Sequence, residues 1–160
     1  MRNIAIALSL TLFAAAAVAQ QAPAQKLYTS ASDVQAMIAK AKAERKDQPT
    51  IAQNLIRLAP YNVNLEYRAS IGPAAVHEKD VEMFYVVDGS ATMVTGGKLI
   101  NEKRNNADNL GGTGIEGGMS REITKGDFIM VPSSTAHWFS KINGVLVLMS
   151  LHGPKEGMSH

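Results

Sequence analysis

Two stretches of this chain place metal-compatible side chains beside apolar strands and turns. They are His77-Glu-Lys-Asp-Val-Glu82-Met-Phe-Tyr-Val-Val-Asp-Gly89 and Gly126-Asp-Phe-Ile-Met-Val-Pro132-Ser-Ser-Thr-Ala-His137. Neutral imidazole and carboxylate oxygen are ligands that first-row divalent ions accept. Two histidines and a carboxylate are also the composition of the facial triad of non-haem Fe(II) oxygenases, which leaves positions open for substrate and dioxygen. Taken singly, His77 could equally be a surface residue beside Glu78 and Lys79, and His137 a buried imidazole satisfied by a carbonyl.

Residues two apart in a strand share a face, so Glu82, Phe84 and Val86 point one way and Met83, Tyr85 and Val87 the other. His77 is out of phase with Glu82. Both face inward only if the charged stretch from Glu78 to Val81 turns or bulges. Pro132-Ser-Ser-Thr-Ala likewise resets the phase before His137 and divides Trp138 and Phe139 between two faces. A pocket here would be lined by Phe84, Val86, one of Phe128 or Ile129, and one of Trp138 or Phe139: an apolar cavity with few polar groups besides the ligands, as small-molecule sites usually are.

The two phrases resemble the paired motifs of the cupins. In that family the first motif runs Gly, five residues, His-x-His, three or four residues, Glu, six residues, Gly. The second runs Gly, five residues, Pro-x-Gly, two residues, His, three residues, Asn. Glu82 to Gly89 and Gly126 to Pro132 to His137 fit, and His77 falls on the second histidine of the pair. Ala75 occupies the first, leaving the usual ligand set one short; Ser134 and Lys141 replace the family's second-motif glycine and closing asparagine. The resemblance spans roughly residues 61–152 and implies an all-β, double-stranded β-helix (jelly-roll) barrel. It implies His77, Glu82 and His137 as ligands of one divalent transition metal: Mn, Fe, Zn or Ni. His152, Glu78 or Asp80 could supply a fourth ligand, and His152 reads equally well as an exposed residue before the tail. Cupins include oxygenases, isomerases and non-catalytic binding proteins, so two functions stand. One is a metal-dependent enzyme of oxygenase or isomerase type acting on a small oxygen-rich molecule. The other is a non-catalytic small-molecule-binding or self-associating module. The family also implies a homodimer.

Around these motifs the chain supplies a leader and a barrel. Arg2, an apolar run from Ile4 to Val18 and Ala17-Val-Ala19 read as a signal peptide over 1–19, which predicts a periplasmic or secreted protein without a stable membrane anchor after cleavage. There is no cysteine, so stability must come from packing. The 16 Lys and Arg, one of them Arg2, nearly balance the 14 Asp and Glu, and no basic stripe suggests nucleic acid. A lead-in covers 20–29. An amphipathic helix over 30–48 begins with Ser30 as cap and Asp33 in its first turn, and carries Val34, Met37, Ile38 and Ala41 as its apolar stripe. The barrel covers 54–152 and a flexible tail 153–160. Tyr61, Val63, Leu65 and Tyr67 alternate with Asn62, Asn64, Glu66 and Arg68 as a half-buried strand should. Met83 to Thr95 reads as a hairpin around Asp88-Gly89. The Asn- and Gly-rich stretch 102–118 reads as a flexible loop, with a lid as the minority alternative. Its Gly112-Thr-Gly-Ile-Glu-Gly117 spells a dinucleotide fingerprint without the strand and helix that motif needs.

Overall fold

Alternation in the strand Asp80–Asp88 fixes the architecture: Glu82, Phe84 and Val86 are buried on one face, while Tyr85 is exposed on the other. The computed structural model describes residues 24–155 and Gly157. The leader at 1–19, the start of the lead-in and most of the tail beyond Lys155, His160 included, lie outside the described residues. In chain order the elements are α1 (Ala31–Glu44), β1 (Thr50–Leu58), β2 (Tyr61–Arg68), β3 (Ala74–His77), β4 (Asp80–Asp88), β5 (Ser90–Thr95) and β6 (Lys98–Ile100). Then follow β7 (Lys103–Arg104), β8 (Asn109–Gly112), β9 (Gly114–Glu116), β10 (Met119–Thr124), β11 (Phe128–Val131), β12 (His137–Ile142) and β13 (Leu146–Pro154). Two antiparallel sheets face each other, in the orders β1-β2-β13-β4-β11 and β10-β5-β12-β3-β8-β7, and β6 pairs with β9 beside them. This is the all-β barrel predicted, with one helix among the described residues.

Between the sheets lies a core of Phe84, Val86, Leu146 and Leu148 from the first, met by Ala91, Met93, Ile123 and Phe139 from the second. The helix closes part of the first sheet's outer face. Val34 and Ala41, with Met37 and Ile38, pack on Leu55, Leu65, Tyr67 and Val147. Ser30 Oγ accepts from the Asp33 N–H at 3.1 Å and Asp33 Oδ2 accepts from the Ser30 N–H at 3.1 Å, a reciprocal cap that fixes where α1 begins. The helix ends at Glu44, and Lys46 at φ 48° turns the chain toward β1. Strand structure therefore begins at Thr50, ahead of the barrel start read from the sequence.

Three local expectations are corrected. Met83 to Thr95 is not a hairpin, because β4 and β5 belong to different sheets. Gly89, at φ 85°, is the corner between them, and a Cβ there would collide with the Val145 carbonyl oxygen. The stretch 102–118 is not a flexible loop: it forms β7, β8 and β9, with β8 paired along its length with β3. Glycine is needed there for closeness rather than freedom, since a Cβ on Gly111 would come within 2.6 Å of Asn105 Nδ2 and one on Gly112 within 2.7 Å of the Ile100 carbonyl oxygen. Finally, the C-terminal half of β2, from Leu65 to Tyr67, is covered on both faces. Its apolar side lies under α1, and its polar side turns to the barrel interior, where Glu66 is buried.

The Gly89 corner gives a test by substitution. Gly89→Ala should destabilise the fold by about 3 kcal/mol, combining a strained backbone with a backbone clash. Gly96→Ala, at φ 74° with nothing within 4 Å of the new Cβ, should lose only about 1 kcal/mol. Urea unfolding of the two variants measures the difference; equal losses would contradict the packing described for Gly89.

Candidate metal centre

The site lies at one end of the space between the sheets, each sheet contributing two side chains. His77 closes β3 and His137 opens β12, adjacent strands in which His137 stands opposite Ala75. Glu82 and His152 face one another across β4 and β13 of the opposite sheet. The bend at Glu78-Lys79, between β3 and β4, carries the chain from one sheet to the other. It thereby resolves the phase conflict between His77 and Glu82.

Glu82 is the hub and is 3% exposed. Its Oε1 accepts from Ser150 Oγ at 2.6 Å and lies 3.2 Å from His152 Nε2. Its Oε2 lies 3.0 Å from His137 Nε2 and 3.3 Å from His77 Nε2, yet is buried without a hydrogen-bond donor in bonding geometry. The ligand atoms of His77, Glu82 and His152 all lie within 4.8 Å of one another. The three ring nitrogens therefore crowd one carboxylate without donating to both of its oxygens.

On the far side of two of the rings an oxygen is positioned to accept from Nδ1, and beyond the third a carboxylate stands outside hydrogen-bond reach. Asn109 Oδ1 is 2.5 Å from Nδ1 of His77, the Thr135 carbonyl oxygen is 3.4 Å from Nδ1 of His137, and Asp80 Oδ2 is 3.9 Å from Nδ1 of His152. A proton on Nδ1 leaves the Nε2 lone pair free and aimed inward, the arrangement that orients histidines toward a metal. Three imidazolium rings around a single carboxylate would instead concentrate positive charge in a buried space. The donor set and the uncovered Glu82 oxygen together fit a divalent cation.

Burial alone would raise the Glu82 carboxyl, but His137, His152 and His77 outweigh it and hold it well below the usual carboxylate range. Burial pulls the His77 imidazole down, while Glu82 and Asn109 more than offset this and raise it. His152 follows the same pattern, with burial opposed by Glu82. All these groups are set by one another's charge.

The structure thus brings together His77, Glu82 and His137, the three residues predicted from the sequence, and adds His152. Asp80 stands behind His152, and Glu78 turns away to pair with Arg104 through both oxygens, at 2.7 and 3.0 Å. Ala75, at the position where the family has its other histidine, lines the cavity. Of the three candidates for a fourth ligand read from the sequence, His152 is the one that pairing register brings opposite Glu82, from the far end of the chain.

A cavity of about 290 Å³ opens from the site. Its walls include Pro73, Ala75, Trp138 and Phe139, and Phe84 and Val86 pack in the core beneath. Ile129 faces inward, whereas Phe128 is 66% exposed on the outer surface. Trp138 Nε1 donates to the Gly72 carbonyl at 2.9 Å, which ties the rim loop to β12. The expected scarcity of polar groups is corrected by β2: Glu66 and Arg68 both line the cavity.

A family model described as Cupin matches residues 40–156. No curated protein matches the sequence. Among solved structures, an FeII form of HppE superposes with a TM-score of 0.51 at 15% identity, covering 66% of this chain and 51% of its own, so this chain spans about half of it. KdgF from Halomonas sp. gives 0.50 at 14% identity, with 69% of this chain and 84% of KdgF covered. The Schizosaccharomyces pombe Cnp3 cupin domain gives 0.50 at 13%, covering 68% and 67%. At such identities the likeness is one of fold. With the family model running from within α1 to the end of β13, across both facing sheets, this chain belongs to the cupin family.

Proposed function

We propose that this protein is a secreted cupin that holds one divalent transition metal, Mn, Fe, Zn or Ni, and presents it to a small oxygen-bearing molecule in the cavity. The ligands are His77, Glu82, His137 and His152. One observation carries the proposal: a buried carboxylate oxygen with no hydrogen-bond donor is approached by imidazole Nε2 atoms whose rings are set by oxygens at Nδ1. A bound ion of this kind supplies Lewis acidity to a ligand oxygen. Asn109 and the Thr135 carbonyl orient the His77 and His137 imidazoles, Asp80 stands behind His152, Ser150 holds Glu82 Oε1, and Trp138 with Phe139 walls the cavity. Chemistry of oxygenase or isomerase type is the activity we assign to this setting. Placement outside the cytoplasm rests on residues 1–19 alone.

Self-association has its own support on the opposite face. Val63, Met83, Tyr85, Phe128, Met149 and Leu151 form an apolar groove on the first sheet. We place the homodimer interface there. Light scattering should show a wild-type dimer and a Phe128→Asp monomer; a monomeric wild type would contradict the assignment.

For the metal, elemental analysis of untagged protein should give about one ion per chain, reduced at least tenfold in His137→Ala and His152→Ala, in line with the loss of one ligand of a small set. Undiminished metal in His152→Ala would remove that residue from the site. Asn109→Leu should fold but bind metal ~10- to 100-fold more weakly, because His77 loses the group that fixes its tautomer; equal affinity would deny Asn109 that role.

The pH dependence has a definite sign. Raised imidazoles contribute stability that is fully present below their ordinary value of 6.5 and lost as pH rises through the raised values. Glu82, held low, contributes above the ordinary carboxylate value and loses that contribution only as pH falls through its lowered one. A metal replaces the imidazole protons, so its affinity grows with pH. The Tm of metal-free protein should therefore fall from about pH 6 to about pH 8, while the metal-induced increase in Tm widens. A metal-induced increase that stays constant over this range would contradict the assignment of imidazole ligands.

A further inference from the structure

The cavity carries a second charged group that metal binding leaves unused. Arg68 and Glu66, both on β2, face the cavity with side chains only 17% and 10% exposed. Arg68 Nε donates to Glu66 Oε2 at 2.8 Å, Nη2 lies 2.7 Å from the same oxygen as an ion pair, and the guanidinium carbon sits 4.7 Å above the centre of the Phe139 ring. These contacts fix the plane of the guanidinium. Among the described residues Nη1 is left with no hydrogen-bond partner, beneath the rim loop, 3.9 Å from where a Gly72 Cβ would stand.

A half-buried guanidinium that lines a cavity, held by a carboxylate at one edge and by an aromatic ring at one face, is prepared to receive an oxyanion. Charge selects which one. Glu66 and Arg68 cancel, and Glu82 offsets half of a divalent ion, so the loaded cavity retains one positive charge. A monoanion neutralises it, whereas a dianion such as a phosphate monoester would leave an uncompensated buried negative charge.

Resting on the metal-site reading above, we propose that Arg68 is the second anchor of the cavity. It receives the carboxylate of a small monoanionic hydroxy- or oxo-acid whose neutral oxygens meet the metal. Glu66 is a positioning residue that holds the guanidinium in place. The substrate class is thereby narrowed from oxygen-rich molecules in general to monocarboxylates that bear further oxygens.

Trp138, the single tryptophan of the chain, lines the same cavity and reports ligand binding independently of the metal. The test titrates Co(II)-loaded protein with two matched pairs, gluconate against sorbitol and lactate against propylene glycol, reading Trp138 fluorescence, with Co(II) visible absorption recording the metal separately. The double variant Glu66→Gln/Arg68→Met removes both charges together, so that no buried carboxylate is left unpaired. Arg68→Lys keeps the charge and loses the fork. Wild type should prefer at least one acid over its matched alcohol by about tenfold or more, the worth of a hydrogen bond between charged groups. The double variant should lose that preference at unchanged Co(II) content, and Arg68→Lys should retain only part of it. Equal binding of acid and alcohol in wild type, or a preference that survives in the double variant, would overturn the proposal and leave Arg68 as a prop for Phe139. Failure of Co(II) to bind wild type would overturn the metal reading. An Arg68-dependent preference for acids seen by Trp138 would then still establish the carboxylate anchor alone.

Discussion

The Glu82 carboxylate, buried between two sheets and facing three imidazoles, is the interaction on which the rest of this structure depends. Removing a carboxylate from water disfavours its charged form by several kcal/mol, and only nearby positive charge or hydrogen bonds can offset this. Ser150 and the histidines supply that offset in the metal-free protein, and a cation would supply it more completely. The opposing shifts of Glu82 downward and of His77 and His152 upward express the same attraction seen from its two sides.

Pairing register delivers these groups to one place. Antiparallel pairing of β4 with β13 sets His152 beside Glu82, and pairing of β12 with β3 sets His137 beside the strand that ends in His77. The glycine corner at Gly89 lets the chain leave the first sheet and enter the second. Packing of Phe84 edge-on to Phe139, with ring centres 5.4 Å apart, joins the two sheets directly below the site. The β7–β8 edge carries Asn109 to His77, so a stretch with no apolar periodicity still contributes to the centre.

Much of this was legible in the sequence because strand alternation is a local signal. The inward face of Glu82, Phe84 and Val86 follows from period two alone, and the capped start of α1 follows from Ser30 and Asp33. What was not legible depended on partners distant in the chain. His152 lacks a motif of its own, so the sequence left it level with Glu78 and Asp80 as a fourth ligand until pairing register set it opposite Glu82. Alternation along β2 was read correctly, but nothing local says that its polar side faces a cavity and not water, so Glu66 and Arg68 went unassigned. The strands within 102–118 were hidden because Gly111 and Gly112 serve close packing, which looks in the sequence like looseness.

The central claim is that the imidazoles around Glu82 are arranged for a metal and not merely for a buried ion pair. X-ray absorption at the metal edge of Co(II)-loaded protein tests this most directly. Scattering from about three imidazole rings with metal–nitrogen distances of ~2.0–2.1 Å, together with carboxylate oxygen, is the predicted result. An ion surrounded by water oxygens, with at most one imidazole, would contradict it and make the Glu82 cluster a structural element of the barrel.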